Sequence, residues 1–318
     1  MQLSVLQRDV QTCQSRRPAG NELSTDQHRN GRVTVESFNY SELLQHLKGF
    51  DAWLTSLGLT PRPNDRIHAA IEVLRRAEEL IRKGRETGVY GDIQPRDWFP
   101  LIEALEAHDL FLAFQNDPSP AVAEALKRAL SGPLQPIHES SKNRDGRNIW
   151  FELVLAAEWR LRGAAVCLGE PDLQLIRDGI PFLVACKRPA TSESIEANLR
   201  SAIKQLQRNL DTSPFGTFGV AAISLSCTFN PGDKVFSGGV QDLGMLVKNP
   251  LDQNGPYLRS VNDSRICCVL FHVSTPAVAD GVDLARATFC VLQELHPSVG
   301  SKAFMEHGRE MLSTPKGC

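Results

Sequence analysis

The chain lacks any long run of apolar residues. Its longest covers residues 266–271, whereas a helix that crosses a bilayer needs roughly 20. The sequence also lacks an excess of charge of either sign, because its formal net charge is -2. No overall field would draw the protein onto a polyanion, so any nucleic acid must be held by a local basic patch. We expect no membrane partner.

The motifs of several common site types are also missing. The eight cysteines include no Cys-x-x-Cys pair and the eight histidines show no His-x-x-x-His spacing, so no zinc site is indicated. No glycine-rich loop opens a helix, and no serine elbow is present. Residues 1–10 lack the basic start and apolar run of a secretory signal, so we expect a cytoplasmic protein with reduced thiols.

The length and composition predict a folded protein with more than one unit. A chain of 318 residues with an apolar fraction of 42% is long enough for two folded units and a tail. Changes in composition and apolar spacing along the sequence predict four regions. They are a flexible arm over residues 1–35, a helical domain over 36–132, a linker over 133–147 and an α/β domain over 148–318.

Apolar periodicity predicts the elements within these regions. Four helices of the helical domain are expected near residues 41–57, 65–83, 100–114 and 119–130. In the α/β domain we expect helices over 148–162 and 194–210, and strands over 164–168, 172–177, 181–186, 219–227 and 265–273. Residues 281–295 are expected to form a terminal helix. The alternation indicates a mixed sheet flanked by helices, preceded by an N-terminal helical bundle.

Two charged residues are expected to meet at one end of this sheet. Asp172 begins one predicted strand and Lys187 ends the next, with Asp178 and Gly179 forming the tight turn between them. Antiparallel pairing then places the carboxylate and the ammonium side by side. A carboxylate can hold a divalent cation, while an ammonium can orient an attacking water or neutralise developing charge. This pairing is suited to phosphate chemistry.

Four short motifs around this pair resemble the PD-(D/E)XK nuclease superfamily, whose members share the restriction-endonuclease-like fold. They are RNIWFEL at 147–153, EPD at 170–172, FLVACKRP at 182–189 and AIKQL at 202–206. The resemblance implies an α/β nuclease that uses Mg²⁺ or Mn²⁺. It implies that Asp172 and Glu152 bind metal, Lys187 serves the attacking water and Gln205 positions the water or the lysine.

One position departs from the family pattern. Ala185 stands where the family has a second acidic metal ligand, and a methyl group offers no ligand. Three explanations remain open. A native glutamate was replaced by alanine to inactivate the enzyme, or the chain is a degenerate relative that binds without cutting, or the acid has moved to Glu193 or Glu196 on the following helix.

Basic residues near these motifs are expected to hold the substrate. Arg200, Lys204 and Arg208 recur every four residues and form a stripe roughly 12 Å long, which could follow a phosphate backbone or be an ordinary solvated helix face. Arg147 and Arg188 would add charge beside the site. The resemblance implies DNA rather than RNA as the substrate.

Two other functions stay open. One is a non-catalytic adaptor that binds nucleic acid or a protein. The other is a defence effector held inactive until assembly, with the helical domain making a homo-oligomer or protein contact.

Overall fold

The molecule is built on one mixed β-sheet. A computed structural model describes residues 30–311 apart from 38–39, 61–64, 84–96, 118, 141, 233–234, 238–239 and 279–284. The strands are β1 (Asn30–Ser37), β2 (Ala165–Leu168), β3 (Leu173–Arg177), β4 (Ile180–Lys187), β5 (Phe218–Ser224), β6 (Phe236–Ser237), β7 (Ile266–Val278) and β8 (Ala285–Glu294).

Helices cover both faces of this sheet. They are α1 (Tyr40–Ser56), α2 (Arg66–Arg82), α3 (Trp98–Phe114), α4 (Pro120–Ala129), α5 (Asp145–Arg160), α6 (Ile195–Leu210), α7 (Ser226–Phe229), α8 (Val240–Arg259) and α9 (Val299–Met311). The helices expected from apolar periodicity before β2, together with α6, are confirmed within a few residues. None of the helices in the described ranges is both long and apolar enough to span a membrane.

The order of the strands is β1-β8-β7-β5-β4-β3-β2, with β6 paired to β7. The central strands β4, β5 and β7 are parallel, while β2, β3 and β4 form an antiparallel meander. Helix α6 makes the crossover from β4 to β5. The middle of β4 is buried on both faces. This is expected because β4 lies between β3 and β5 in a sheet that helices cover on both sides.

Alternating side chains of β4 enter two separate apolar clusters. Val184 packs with residues of α5, whereas Leu183 packs with residues of α6. Because side chains alternate along a strand, this division fixes which face every later residue of β4 occupies. We call these the α5 face and the α6 face of the sheet.

The helical region shares its core with the sheet. Helix α5 is buried on almost every side, since it lies between α3 and α4 on one side and the sheet on the other. One apolar cluster runs from Leu47 of α1 to Val184 of β4. The predicted linker is therefore partly helix, because α5 begins at Asp145, and the two predicted regions are packed as one body.

Two predictions at the ends of the chain are wrong. Within the arm predicted over residues 1–35, residues 30–35 belong to β1, which pairs with β8; residues 1–29 lie outside the described part. The terminal helix predicted over 281–295 is strand β8 in its described portion. It carries a continuous buried run at Phe289, Cys290, Val291 and Leu292, and periodicity alone does not separate such a run from a helix. The last helix is α9.

Helix α8 was not predicted. It contains Pro250 and Pro256, and proline is unfavourable inside a helix because it removes a backbone donor. Apolar residues of α8, including Val247 and Leu251, pack on the α6 face. Tertiary packing therefore outweighs the local cost of the prolines.

Candidate active site

Asp172 and Lys187 meet at the end of the β3–β4 hairpin. The register pairs Leu173 with Val184, so one residue further Asp172 lies opposite Ala185. Directly opposed residues place their side chains on the same face. The Oδ2 atom of Asp172 accepts hydrogen bonds from the Cys186 backbone N–H at 2.6 Å and from Lys187 Nζ at 3.3 Å. The structure thus brings the two predicted partners together.

Gln205 of α6 completes this group. Lys187 Nζ donates to Gln205 Oε1 at 2.6 Å and to the Cys186 carbonyl at 2.9 Å. Gln205 Nε2 donates to the Pro171 carbonyl at 2.9 Å and to Asp172 Oδ1 at 3.3 Å. The three donors of the ammonium are all used, which fixes its position. We call Asp172, Lys187 and Gln205 the sheet-end cluster.

Glu152 approaches this cluster from α5. It is half-buried, and among the described residues its carboxylate makes no hydrogen bond or ion pair. Burial, followed by repulsion from Asp172, raises the pKa of Glu152 to about 8. Burial also raises the pKa of Asp172, although Lys187 and the Cys186 N–H oppose that shift. Two carboxyl groups that resist ionisation side by side form a site that favours a cation.

Asp172 and Glu152 are the residues that could hold Mg²⁺ or Mn²⁺. The described residues contain no group of three or more His, Cys, Asp or Glu side chains suited to a metal. Magnesium commonly uses one or two carboxylates and takes its other oxygens from water and phosphate. The pair therefore fits such an ion only when water or substrate completes its coordination.

Position 185 contributes no ligand. The Ala185 methyl group is fully buried and packs in the apolar cluster with Leu183 and Leu199 on the α6 face. It lies opposite Asp172, so an acid at this position would face the Asp172 carboxylate. This is the place where the family pattern has its second acid.

Neither acid proposed as a migrated ligand reaches the cluster. Glu196 lies nine residues before Gln205 on the same helix, which corresponds to about 13 Å along the axis. Its carboxylate instead binds Arg200 at 2.6 Å. Glu193 precedes the helix in the short turn Ser192–Ser194, which is further still. The explanation that the missing acid has moved to this helix is therefore wrong.

The basic stripe of α6 is divided. Arg200 is held by Glu196 and lies over the Tyr257 ring, with 4.2 Å between its guanidinium carbon and the ring centroid. Lys204 and Arg208 are exposed, and neither has an ion-pair partner in the described ranges. These two side chains are available to bind phosphate, while Arg200 is partly neutralised.

The prediction that Arg147 and Arg188 contact nucleic acid is wrong. The Arg188 side chain is 9% exposed and binds both oxygens of Glu139. The Arg147 side chain is 7% exposed and pairs with Glu103 and, at 3.1 Å, with Glu139. A buried guanidinium between carboxylates cannot reach a phosphate backbone.

Sequence reasoning missed the acids of this buried network. Glu103 also binds Arg66 at 3.4 Å, so three arginines and two glutamates alternate without a break. We call Arg66, Glu103, Arg147, Glu139 and Arg188 the buried ion chain. Its acids carry no local signal, because Glu139 lies in the predicted linker and Glu103 in the middle of α3.

Comparison with known proteins adds no relative. No family model matches the chain, and no curated protein and no solved structure is significantly similar to it. The interpretation of the sheet-end cluster therefore rests on its motifs and geometry.

Proposed function

We propose that this protein has the site of a metal-dependent nuclease on a restriction-endonuclease-like fold, with DNA preferred to RNA. In this proposal Asp172 and Glu152 hold Mg²⁺ or Mn²⁺, which would stabilise charge on a scissile phosphodiester. Lys187 orients the attacking water, and Gln205 holds the lysine in place. Lys204 and Arg208 bind the phosphate backbone, while the helical region serves as a bundle for a protein partner or a second copy.

One observation carries this proposal. Lys187 is held by Asp172 and Gln205 at the end of β4, which gives a fixed ammonium beside a carboxylate. The exposed fractions of the two side chains are 21% for Lys187 and 15% for Asp172, so they remain accessible from solvent. Preorganised groups of opposite charge, close to a second acid, are what phosphoryl chemistry requires.

A second function is favoured by the packing at position 185. Position 185 is an alanine whose methyl group is fully buried among apolar side chains, so the site has one acid fewer than the pattern of the family that it resembles. In this alternative the chain binds nucleic acid through Lys204 and Arg208 and does not cut it.

The test restores the acid. We expect Ala185→Glu to nick plasmid DNA in the presence of Mg²⁺ or Mn²⁺, because the new carboxylate would face Asp172. Ala185→Gln is the matched control, since it has nearly the same volume without the charge. Adding Lys187→Met to Ala185→Glu should lower the rate by about 10²- to 10⁴-fold, the usual contribution of one positioned catalytic group. An RNA of the same length tests substrate preference.

The outcomes separate the two functions. Equal inertness of Ala185→Glu and Ala185→Gln on DNA and RNA would overturn the nuclease proposal. If the chain then still binds DNA, and its affinity falls steeply with salt and falls less steeply in Lys204→Ala/Arg208→Ala, the binding function is supported. Binding that those two substitutions leave unchanged would exclude it.

A further inference from the structure

The first turn of α5 lies at the same end of the sheet as the sheet-end cluster. Helix α5 ends at Arg160, and β2 begins shortly after it at Ala165, which is paired with Ile176 near the turn of the β3–β4 hairpin. Asp172 and Lys187 lie at the other end of that hairpin. The 16 residues of α5 span about 24 Å and the 8 residues of β4 about 26 Å. The helix is therefore long enough to extend from the hairpin turn to the cluster.

The end of α4 is packed against this first turn of α5. A Cβ atom added at Gly146 would collide with the backbone oxygen of Ser131, so the two backbones touch there. Arg128, in the last turn of α4, places its Nη2 atom 3.2 Å from Asp145 Oδ2. This packing carries a guanidinium from the helical region to the end of the sheet that holds the cluster.

Arg128 is close enough to Glu152 to influence its ionisation. Asp145 and Glu152 are seven residues apart on α5, so they lie on one face of the helix, two turns from each other. Burial and then Asp172 raise the pKa of Glu152, while the positive charges of Lys187 and Arg128 lower it. Arg128 therefore belongs to the electrostatic surroundings of the candidate active site.

The pair of Arg128 and Asp145 is open to solvent and weakly held. Their side chains are 56% and 72% exposed, and an ion pair in such a position contributes little to stability. Arg200 differs, because it donates to Glu196 from two nitrogens, at 2.6 and 2.9 Å, and also covers the Tyr257 ring. A phosphate can therefore displace the carboxylate from Arg128 more readily than from Arg200.

The surface around Arg128 has more positive than negative charge. Four basic side chains of residues 124–145 contact solvent, namely Lys127, Arg128, Lys142 and the half-buried Arg144. The exposed acids of this stretch are Glu124 and Asp145, and Glu139 is enclosed by the arginines of the buried ion chain. A local surplus of this kind attracts a polyanion even though the whole chain is nearly neutral.

We propose that Arg128 binds a backbone phosphate of the nucleic acid beside the sheet-end cluster, and that Asp145 is its partner until the nucleic acid displaces the carboxylate. Lys204 and Arg208 lie on the α6 side of the sheet, whereas Arg128 lies on the α5 side. The phosphate backbone therefore crosses the end of the sheet between α4 and α6. This inference rests on the proposed function, because it adds a contact to the same nucleic acid.

Binding of a short fluorescent DNA duplex to the full-length chain in EDTA tests this contact without cleavage. We expect Arg128→Ala to weaken binding by about 5-fold or more at low salt, because it removes a charged hydrogen bond. The slope of log affinity against log salt concentration should fall by about 1. Asp145→Asn should strengthen binding, and its gain should be smaller when Arg128 is also replaced by alanine.

Arg75 of α2 is the matched control. Its side chain is also 56% exposed and also pairs with one carboxylate, that of Glu72. Arg75→Ala should leave both the affinity and the salt slope unchanged. Equal weakening by Arg75→Ala and Arg128→Ala would mean that only the total charge matters, and it would overturn the contact. An equal gain from Asp145→Asn with and without Arg128 would overturn the role of Asp145.

The failure of this inference can be distinguished from the failure of the proposed function. If Lys204→Ala/Arg208→Ala weakens DNA binding and Arg128→Ala does not, the contact to Arg128 is wrong while the proposed function stands. If the wild type binds neither DNA nor RNA, in EDTA or in Mg²⁺, both are wrong. Additive losses from the α4 and α6 substitutions support a backbone that contacts both sides of the sheet end.

Discussion

Lys187 and Arg188 are neighbours in the chain, yet they belong to two different charged networks. Lys187 lies on the α6 face, is 21% exposed and contacts Asp172 and Gln205. Arg188 lies on the α5 face, is 9% exposed and is bound by Glu139. A strand sends successive side chains to opposite faces, so one step along β4 separates an accessible cluster from a buried one.

The difference lies in what each network can exchange with its surroundings. The sheet-end cluster keeps contact with solvent, so a cation or a phosphate could compete for its groups. In the buried ion chain each guanidinium is enclosed with its carboxylate, and removing one partner leaves an uncompensated charge in a medium of low polarity. The sheet-end cluster can exchange its partners for a ligand from solvent. The buried ion chain fixes the helices α2, α3 and α5 against the end of β4.

Breaking the buried ion chain should produce the largest effect. Glu103→Ala leaves Arg66 and Arg147 without the carboxylate they share. We expect the free energy of unfolding to fall by about 3–5 kcal/mol, measured by urea denaturation at neutral pH. A loss below about 1 kcal/mol would mean that water reaches the buried ion chain. The buried ion chain would then not differ from the sheet-end cluster in its access to solvent.

Neutralising Glu152 should raise the free energy of unfolding, by less than Glu103→Ala lowers it. Because the pKa of Glu152 is about 8 in the folded protein and 4.5 ordinarily, the folded state holds a proton between these values that the unfolded state has lost. This contribution is complete below about pH 4.5 and is lost as the pH rises to about 8. Glu152→Gln should remove this dependence on pH and raise the free energy of unfolding at pH 8, by less than the full ~1.4 kcal/mol per pKa unit because water partly screens the side chain.

Urea denaturation across this pH range checks the Glu152 prediction. If the free energy of unfolding changes with pH in the same way in wild type and in Glu152→Gln, the ionised Glu152 carboxylate is not destabilised in the folded protein. Mn²⁺ offers a second measurement, since it should stabilise wild type more at pH 8, where Glu152 ionises, than at about pH 5. Asp172→Asn is the matched control and should remove this stabilisation by Mn²⁺.

The exposed pair on α6 should give the smallest effect. The Glu196 and Arg200 side chains are 49% and 60% exposed, so Glu196→Ala should change the free energy of unfolding by less than about 0.5 kcal/mol. The same substitution frees Arg200, so DNA affinity should rise slightly at low salt. A stability loss comparable to that of Glu103→Ala would erase the distinction between exposed and buried pairs.

Local patterns predict most of the elements that build the site. Periodicity places α5 and α6, and the Asp178-Gly179 turn with its flanking strands places Asp172 beside Lys187. The wrong or missing predictions concern segments whose apolar pattern is compatible with more than one secondary structure. The buried run of β8 fits helix or strand, and the prolines of α8 argue against a helix that packing nevertheless stabilises.

The sequence by itself determines the juxtaposition of Asp172, Lys187 and Ala185, because a tight hairpin fixes its own register. Only the tertiary structure decides the roles of Arg147 and Arg188. Their partners Glu103 and Glu139 lie 44 and 49 residues away from them, respectively. A local sequence pattern does not reveal a carboxylate so far away in the chain. Yet this carboxylate determines whether the guanidinium is exposed to bind phosphate or buried in an ion pair.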